Sequence, residues 1–310
     1  MVFQEEAVAA FRGISTTKKL PHLLLHGPPG TGKTSLVLAL AKELFGAAHY
    51  RERVLELNAS DDRGIARVRD KVKRYAEVKL PRLPGGPAFK IIVLDEADQM
   101  TTDAQNALRR IVEDFSAVTR FCILCNYVTK IIEPLKSRCV RFRFREIPPA
   151  QQRAQLGRIC AAEGLRLGEE ALSAIVDVSG GDLRRSVNLL QLCAAAFAGA
   201  EVTAANVLSV SDVLPARDIW ADCLQPYLAL RSEPERLAWV DRELRRRAVT
   251  GQQLVAALHA WLLTARLGAA QKIAGVRALA DAEKRLALGG RDDLNSLAVL
   301  DALRLALAAA

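Results

Sequence analysis

At 310 residues and 33.8 kDa the chain is long enough for two or three domains with ample cores. Its composition, 50% hydrophobic and 25% charged, excludes global disorder and low complexity. No uncharged apolar run approaches the ~18 residues that span a bilayer, and MVFQEEAVAAF carries acids where a secretory leader carries bases, so no membrane partner is expected. The formal charge of +9 is uneven: residues 1–150 hold 25 Lys/Arg against 17 Asp/Glu, and residues 151–310 hold 19 against 18. The basic surplus of the first half suits either a polyanion-binding half or an ordinary solvated basic surface. Aromatics at 5% are too sparse for a base-stacking platform, so phosphates are the expected target.

In chain order, strands are predicted at Leu23–His26, Val54–Leu57, Lys90–Leu94, Arg120–Cys125 and Val140–Phe144. Helices fall between them near 33–45, 64–78, 103–114 and 130–137. Strands alternating with crossover helices indicate a doubly wound α/β domain whose ligand sits outside the C-terminal strand ends. The six cysteines are expected to be reduced thiols. Only Cys122 and Cys125 have metal-like spacing, and no further ligands complete a zinc set, so they read as buried strand positions. Two prolines in Glu146-Ile-Pro-Pro149 end the last strand, and helical periodicity takes over from about residue 150. The expected division is an α/β domain at 1–147, a short helical unit at 148–212 and a longer helical unit at 213–310. Leu294, Leu297, Leu300 and Leu303 form a stripe in the tail that reads as core or as a partner-helix face.

Two motifs carry chemistry. Gly27-Pro28-Pro29-Gly30-Thr31-Gly32-Lys33-Thr34, followed by Ser35, matches G-x-x-x-x-G-K-[ST] between a predicted strand and a predicted helix. Glycines let backbone N–H groups approach phosphate oxygens, Lys33 reaches the β- and γ-phosphates, and the Thr34 hydroxyl ligates Mg2+. Ile91-Ile-Val-Leu-Asp95-Glu96 supplies the complement. Asp95 ends a buried strand where it can hold the Mg2+, and Glu96 can polarise the attacking water. Asp98 reads as a helix N-cap instead. ATP and Mg2+ are the expected cofactors.

GPPGTGKT, LNASDDRGI, KIIVLDEADQMT, ALRRIVE, TRFCILCNYVTKIIEPLKSRC and GGDLRR occur in this order. Together they resemble the small subunits of replication factor C, the AAA+ ATPase clamp loader, from about Val2 to at least Gln191. The resemblance implies an AAA+ P-loop domain with a parallel five-stranded sheet, followed by a small helical lid and an all-α collar. It also implies residue roles. Asn126 matches the sensor that orients water or meets the γ-phosphate. Arg138 matches the arginine finger, which acts in trans on a neighbour's nucleotide. Arg184 matches a second sensor that reports bound nucleotide. The implied partners are other clamp-loader subunits in a heteropentameric ring, the sliding clamp and primer–template DNA, with the nucleus as location and replication and repair as setting.

For the DNA face, the helix near 64–78 has an apolar stripe at Ile65, Val68, Val72 and Tyr75/Ala76 flanked by bases. Arg69 and Lys73, four apart on one face, can follow a phosphate backbone with Arg63 without reading bases. Arg141, Arg143 and Arg145 share a strand face that reads as solvated. Thr101 reads as a helix N-cap or a phosphate contact. The family's WVEKYRP-like segment, which helps enclose the adenine, has no counterpart before the phosphate loop; the gap bears on nucleotide affinity, and an incomplete gene model explains it equally well. Two rivals stay open: a non-hydrolysing ring subunit that donates Arg138, and a homohexameric DNA-acting AAA+ motor. The intact Lys33, Thr34, Asp95 and Glu96 oppose the first, and the lack of an aromatic in Asn58-Ala-Ser-Asp-Asp-Arg63 opposes the second.

Overall fold

The apolar runs of the first half become one parallel sheet in the computed structural model of the chain, which describes residues 4–59, 65–78, 86–197, 199–211, 219, 223–247 and 249–308, the side chains of 65–69, 244, 245 and 247 excepted. Helix α1 (Glu5–Thr17) precedes β1 (Leu23–His26), and α2 (Lys33–Arg53) leads to β2 (Val54–Asn58). Then come α3 (Ile65–Glu77), β3 (Lys90–Asp95), α4 (Thr102–Asp114), β4 (Thr119–Cys125), α5 (Glu133–Lys136) and β5 (Val140–Arg143). All pairings are parallel, in the order β2-β3-β4-β1-β5. Such a sheet is covered by helices on both faces, which is why β1, β3 and β4 read as continuous apolar runs. One cluster gathers Leu23, Leu25, Val37, Ala41, Ile91 and Leu124. The other gathers Leu24, Ile92, Leu94, Leu108, Phe121 and Ile123.

The expected strands are present within one residue at their ends, and the helices with small differences. The helix expected at 33–45 continues to Arg53 across a kink at Gly46, whose φ is 66°. The one near 130–137 is a 3-10 turn, Val128–Lys130, followed by α5. Cys122 and Cys125 lie fully inside β4. Burial drives both thiols up, Cys125 to about 12, so neither has thiolate character, and all six cysteines are free. Among the described residues no group of three or more His, Cys, Asp or Glu is arranged to hold a metal ion. No helix among them is long and apolar enough to cross a membrane.

Beyond β5 follow α6 (Pro149–Glu163), α7 (Glu169–Ser179), α8 (Leu183–Ala196), α9 (Ala204–Val210), α10 (Gln225–Leu228), α11 (Glu233–Arg247), α12 (Gly251–Thr264), α13 (Ala269–Ala287) and α14 (Asp292–Ala308). By packing, the chain forms two units: Met1–Arg166 with Ile175–Gln191, and Leu167–Ala174 with Leu192–Ala310. In the second unit Tyr227, Trp239, Leu258, Leu279, Leu300 and Leu303 share a core. Arg236 on α11 pairs with Asp301 on α14 at 2.9 Å. The leucine stripe of the tail divides: Leu300 and Leu303 are buried, whereas Leu294 is 51% exposed. Threonines 203 and 250 start α9 and α12 with reciprocal capping boxes.

Candidate active site

The sheet register decides which residues meet. His26 at the end of β1 pairs with Cys125 at the end of β4, so Gly27 and Asn126 emerge side by side, and the Gly27 N–H donates to the Cys125 carbonyl at 3.3 Å. β4 in turn lies beside β3, which ends in Asp95. The loop between β1 and α2 turns through Gly27, Gly30 and Gly32 at φ 146°, 67° and 89°, a region L side chains rarely adopt. A Cβ on Gly27 would lie 2.1 Å from the Phe144 carbonyl oxygen, so glycine is required there for space as well. Within this loop Thr31 is buried and donates to the Pro28 carbonyl at 2.8 Å, while Pro29 and Ser35 are exposed.

Lys33 opens α2 and is 8% exposed. Its ammonium donates to the carbonyls of Gly27 and Pro28 at 2.7 and 2.8 Å and to Asn126 Oδ1 at 3.0 Å. These acceptors are neutral. Burial lowers the Lys33 pKa, Asp95, Cys125 and Asp98 oppose the shift, and Arg184 adds to it. A buried cation whose bonded partners are neutral, beside a glycine loop, fits a polyphosphate that would supply the missing negative charge.

The Mg2+ ligands expected from the motifs also meet. Thr34 Oγ1 donates to Asp95 Oδ2 at 2.8 Å. The other Asp95 oxygen accepts from the Glu96 N–H at 2.8 Å. That bond accompanies a left-handed backbone at Glu96, φ 54° and ψ 36°, which costs a non-glycine residue about 1–2 kcal/mol. A hydroxyl and a carboxylate at hydrogen-bond distance are an oxygen pair suited to a hard divalent cation.

Arg184 lies near the start of α8, exposed but close enough to influence Lys33. Asp182 caps that helix, with Oδ1 accepting from the N–H groups of Arg184 and Arg185 at 2.9 and 3.1 Å. The same oxygen lies against the phosphate loop: a Cβ on Gly30 would fall 1.7 Å from it. One carboxylate therefore sets the helix that carries Arg184 and fills the space beside Gly30. Asp182 is absent from the residues expected from sequence, although an Asp one residue before a helical run is an N-cap signal.

Arg138 is not brought to these groups. Its guanidinium pairs with Glu113 at the end of α4 and donates to the Pro134 carbonyl at 2.6 Å, with the side chain 37% exposed. It is an exposed arginine held by contacts within its own chain. Asp98 corrects its N-cap reading: Glu96 occupies the cap position of the turn Ala97–Gln99, whereas Asp98 is buried and accepts from the Tyr127 N–H at 3.2 Å. Asp98 thereby anchors the residue after Asn126. Thr101 is an N-cap, accepting from the Ala104 N–H at 3.3 Å. Gln105 was not singled out by sequence: its buried amide donates to the Met100 and Lys130 carbonyls and accepts from the Ile132 N–H. A glutamine on an otherwise apolar helix face was the available signal.

On α3, Val72 and Ala76 are buried while Lys71, Lys73 and Arg74 are exposed, as the stripe requires. Lys73 also lies 3.9 Å from Glu77. Of the other two expected DNA contacts, Arg63 and the side chain of Arg69 lie outside the described residues. Arg141, Arg143 and Arg145 are exposed.

Fold and site together define a P-loop ATPase. Residues 23–147 match the family model for the ATPase family associated with various cellular activities, AAA. The chain is 41% identical over 306 residues to human replication factor C subunit 4, covering 96% of this chain and 83% of that one. It is 38% identical over 293 residues to the replication factor C small subunit of Archaeoglobus fulgidus, covering 94% and 89%. Against replication factor C subunit 2 of Saccharomyces cerevisiae it is 45% identical over 223 residues, 68% of this chain and 63% of that one. Among solved structures, the RuvB Holliday junction branch migration motor of Thermotoga maritima superposes with a TM-score of 0.52 at 17% identity, covering 84% of this chain and 87% of that one, a likeness of fold alone. The chain belongs to the replication factor C small-subunit family and is an ATPase.

Proposed function

We propose that this chain is the ATP-hydrolysing small subunit of a heteropentameric clamp loader that opens a sliding clamp and closes it around primer–template DNA, in nuclear replication and repair. The observation that carries the reading is the meeting of Lys33, Thr34, Asp95 and Asn126 at the ends of three adjacent strands, in a chain of this family. The backbone from Gly27 to Gly32 cradles the phosphates, with Lys33 and Arg184 supplying positive charge. Thr34 and Asp95 would hold Mg2+, which neutralises phosphate charge when bound. Glu96 accepts a proton from the attacking water, and Asn126 orients that water with its amide. Arg138 serves the neighbouring subunit's nucleotide. Arg63, Arg69 and Lys73 follow the DNA phosphates, and the helices within 213–310 hold the ring together, apart from the ATPase region 1–147 and the lid 148–212.

The test is Glu96→Gln in the complex that co-purifies with the chain. ATP is retained, while hydrolysis and clamp loading stimulated by primer–template DNA fall by about 10²–10⁴. Undiminished loading by this variant would favour a ring subunit that binds ATP without hydrolysing it.

A further inference from the structure

A buried lysine at the far end of β3 has no part in the nucleotide site. Lys90 is 3% exposed, and its ammonium donates to three acceptors at and just beyond the C-terminus of α3: the carbonyls of Tyr75, of Ala76 at 3.1 Å and of Val78 at 2.6 Å. It also sits 4.8 Å from the centre of the Tyr75 ring. Tyr75 in turn donates its hydroxyl to the Glu52 carbonyl in α2 at 3.0 Å. The last carbonyls of a helix are unsatisfied within it and carry the negative end of its dipole, so a buried cation there caps and fixes the helix.

The opposite end of the same strand holds the other attachment. The Ala59 N–H, in the segment leading from β2 towards α3, donates to the Asp95 carbonyl at 2.9 Å. Asp95 is also the residue that receives Thr34. β3 is thus a short rod, about 17 Å from Lys90 to Asp95 at ~3.3 Å per residue. Its one end grips the exit of α3 and its other end carries both the approach to α3 and the catalytic carboxylates.

We infer that Lys90 is a positioning residue that ties α3, the helix bearing Lys73, to the strand bearing Asp95 and Glu96, so that DNA held on α3 is felt at the ATPase site. The inference rests on the proposed role of α3 in DNA binding. Lys90 touches neither nucleotide nor DNA. Its effect is confined to the coupling between them.

The experiment compares the wild-type complex with complexes carrying Lys90→Met, which removes the donors at nearly constant shape, or Lys90→Gln, which keeps an N–H2 group and serves if the methionine variant fails to assemble. Nucleotide affinity, ATPase rate without DNA and ATPase rate with a recessed-end primer–template duplex are measured on each. The expected result is unchanged nucleotide affinity and basal rate, with stimulation by DNA reduced about fivefold or more, the lower end of ordinary coupling between sites. Lys90→Arg, which restores charge and donors, should recover most of the stimulation. Equal losses with and without DNA would show a purely structural lysine and overturn the inference, as would full stimulation in both variants. Lys73→Glu separates the two ideas. If it weakens DNA binding while the Lys90 variants keep full stimulation, only the coupling role is lost; if it leaves DNA affinity unchanged, the reading of α3 fails and the inference falls with it.

Discussion

Asn126 accepts a hydrogen bond from the Lys33 ammonium at 3.0 Å, across 93 residues of sequence. A lysine can only donate, so the bond fixes the amide with its oxygen toward Lys33 and leaves the N–H2 group available to another partner. Asn126→Ala leaves Lys33 its two loop carbonyls. The variant should keep nucleotide affinity within a few-fold while the complex loses about 10²-fold in turnover, the cost of one oriented polar group at the reacting centre. Steady-state ATPase and nucleotide titration check this.

Thr34 and Asp95 act as a pair. Thr34→Ala or Asp95→Asn removes one of two oxygens placed 2.8 Å apart. Each should raise the Mg2+ concentration needed for half-maximal ATPase by about tenfold or more, and leave binding of nucleotide in EDTA nearly unchanged. An Mg2+ titration of both variants is the measurement.

Arg138 should separate binding from assembly. In the isolated chain Arg138→Ala breaks the partly exposed pair with Glu113 and the bond to the Pro134 carbonyl, a change of about 1 kcal/mol in stability, with nucleotide affinity unaltered. In the assembled complex the same change should slow hydrolysis at the neighbouring site by about 10³-fold. Loss of hydrolysis by an isolated monomer carrying Arg138→Ala would contradict action in trans.

Asp182 and Gly30 should couple. Asp182→Ala removes the cap of α8 and costs about 1 kcal/mol. Gly30→Ala drives a methyl group into the Asp182 carboxylate. The double variant should therefore be more stable than the sum of the two single effects predicts, by roughly 0.5–3 kcal/mol in a thermal or denaturant cycle.

Stability should fall with acid through His22. Its Nδ1 accepts from the Phe121 N–H at 3.1 Å, and burial, with Arg120 nearby, lowers its pKa from 6.5 to about 4. The unfolded imidazole takes up a proton near its ordinary value, whereas the folded one stays neutral until about pH 4. The unfolded state thus binds more protons between these values, and stability is lost as pH drops from 6.5 toward 4, by at most roughly 3 kcal/mol. His22→Gln should flatten denaturation midpoints over that window.

Much of this was legible in the sequence because it is written locally. A parallel sheet buries both strand faces, so β1, β3 and β4 announce themselves as apolar runs, and the glycine loop and Asp95-Glu96 sit where those runs end. Helix α1 left less trace: only Ala7, Phe11 and Ile14 of its residues are buried, among acids and polar groups. The capping of α8 by Asp182 has a local signal, but its approach to Gly30 and the grip of Lys90 on the end of α3 are made only by the fold, so no spacing rule exposes them. Asp98 misled because an acid after a strand resembles a cap, whereas its acceptor oxygen reaches the start of the segment after β4.

The most direct test is the native mass and subunit composition of the assembly that co-purifies with this chain from its own cells. A ring of five chains, several of them distinct ATPase subunits, is the predicted result, with a neighbour's nucleotide within reach of Arg138. A homohexamer of this chain, or a monomer without partners, would contradict the clamp-loader account.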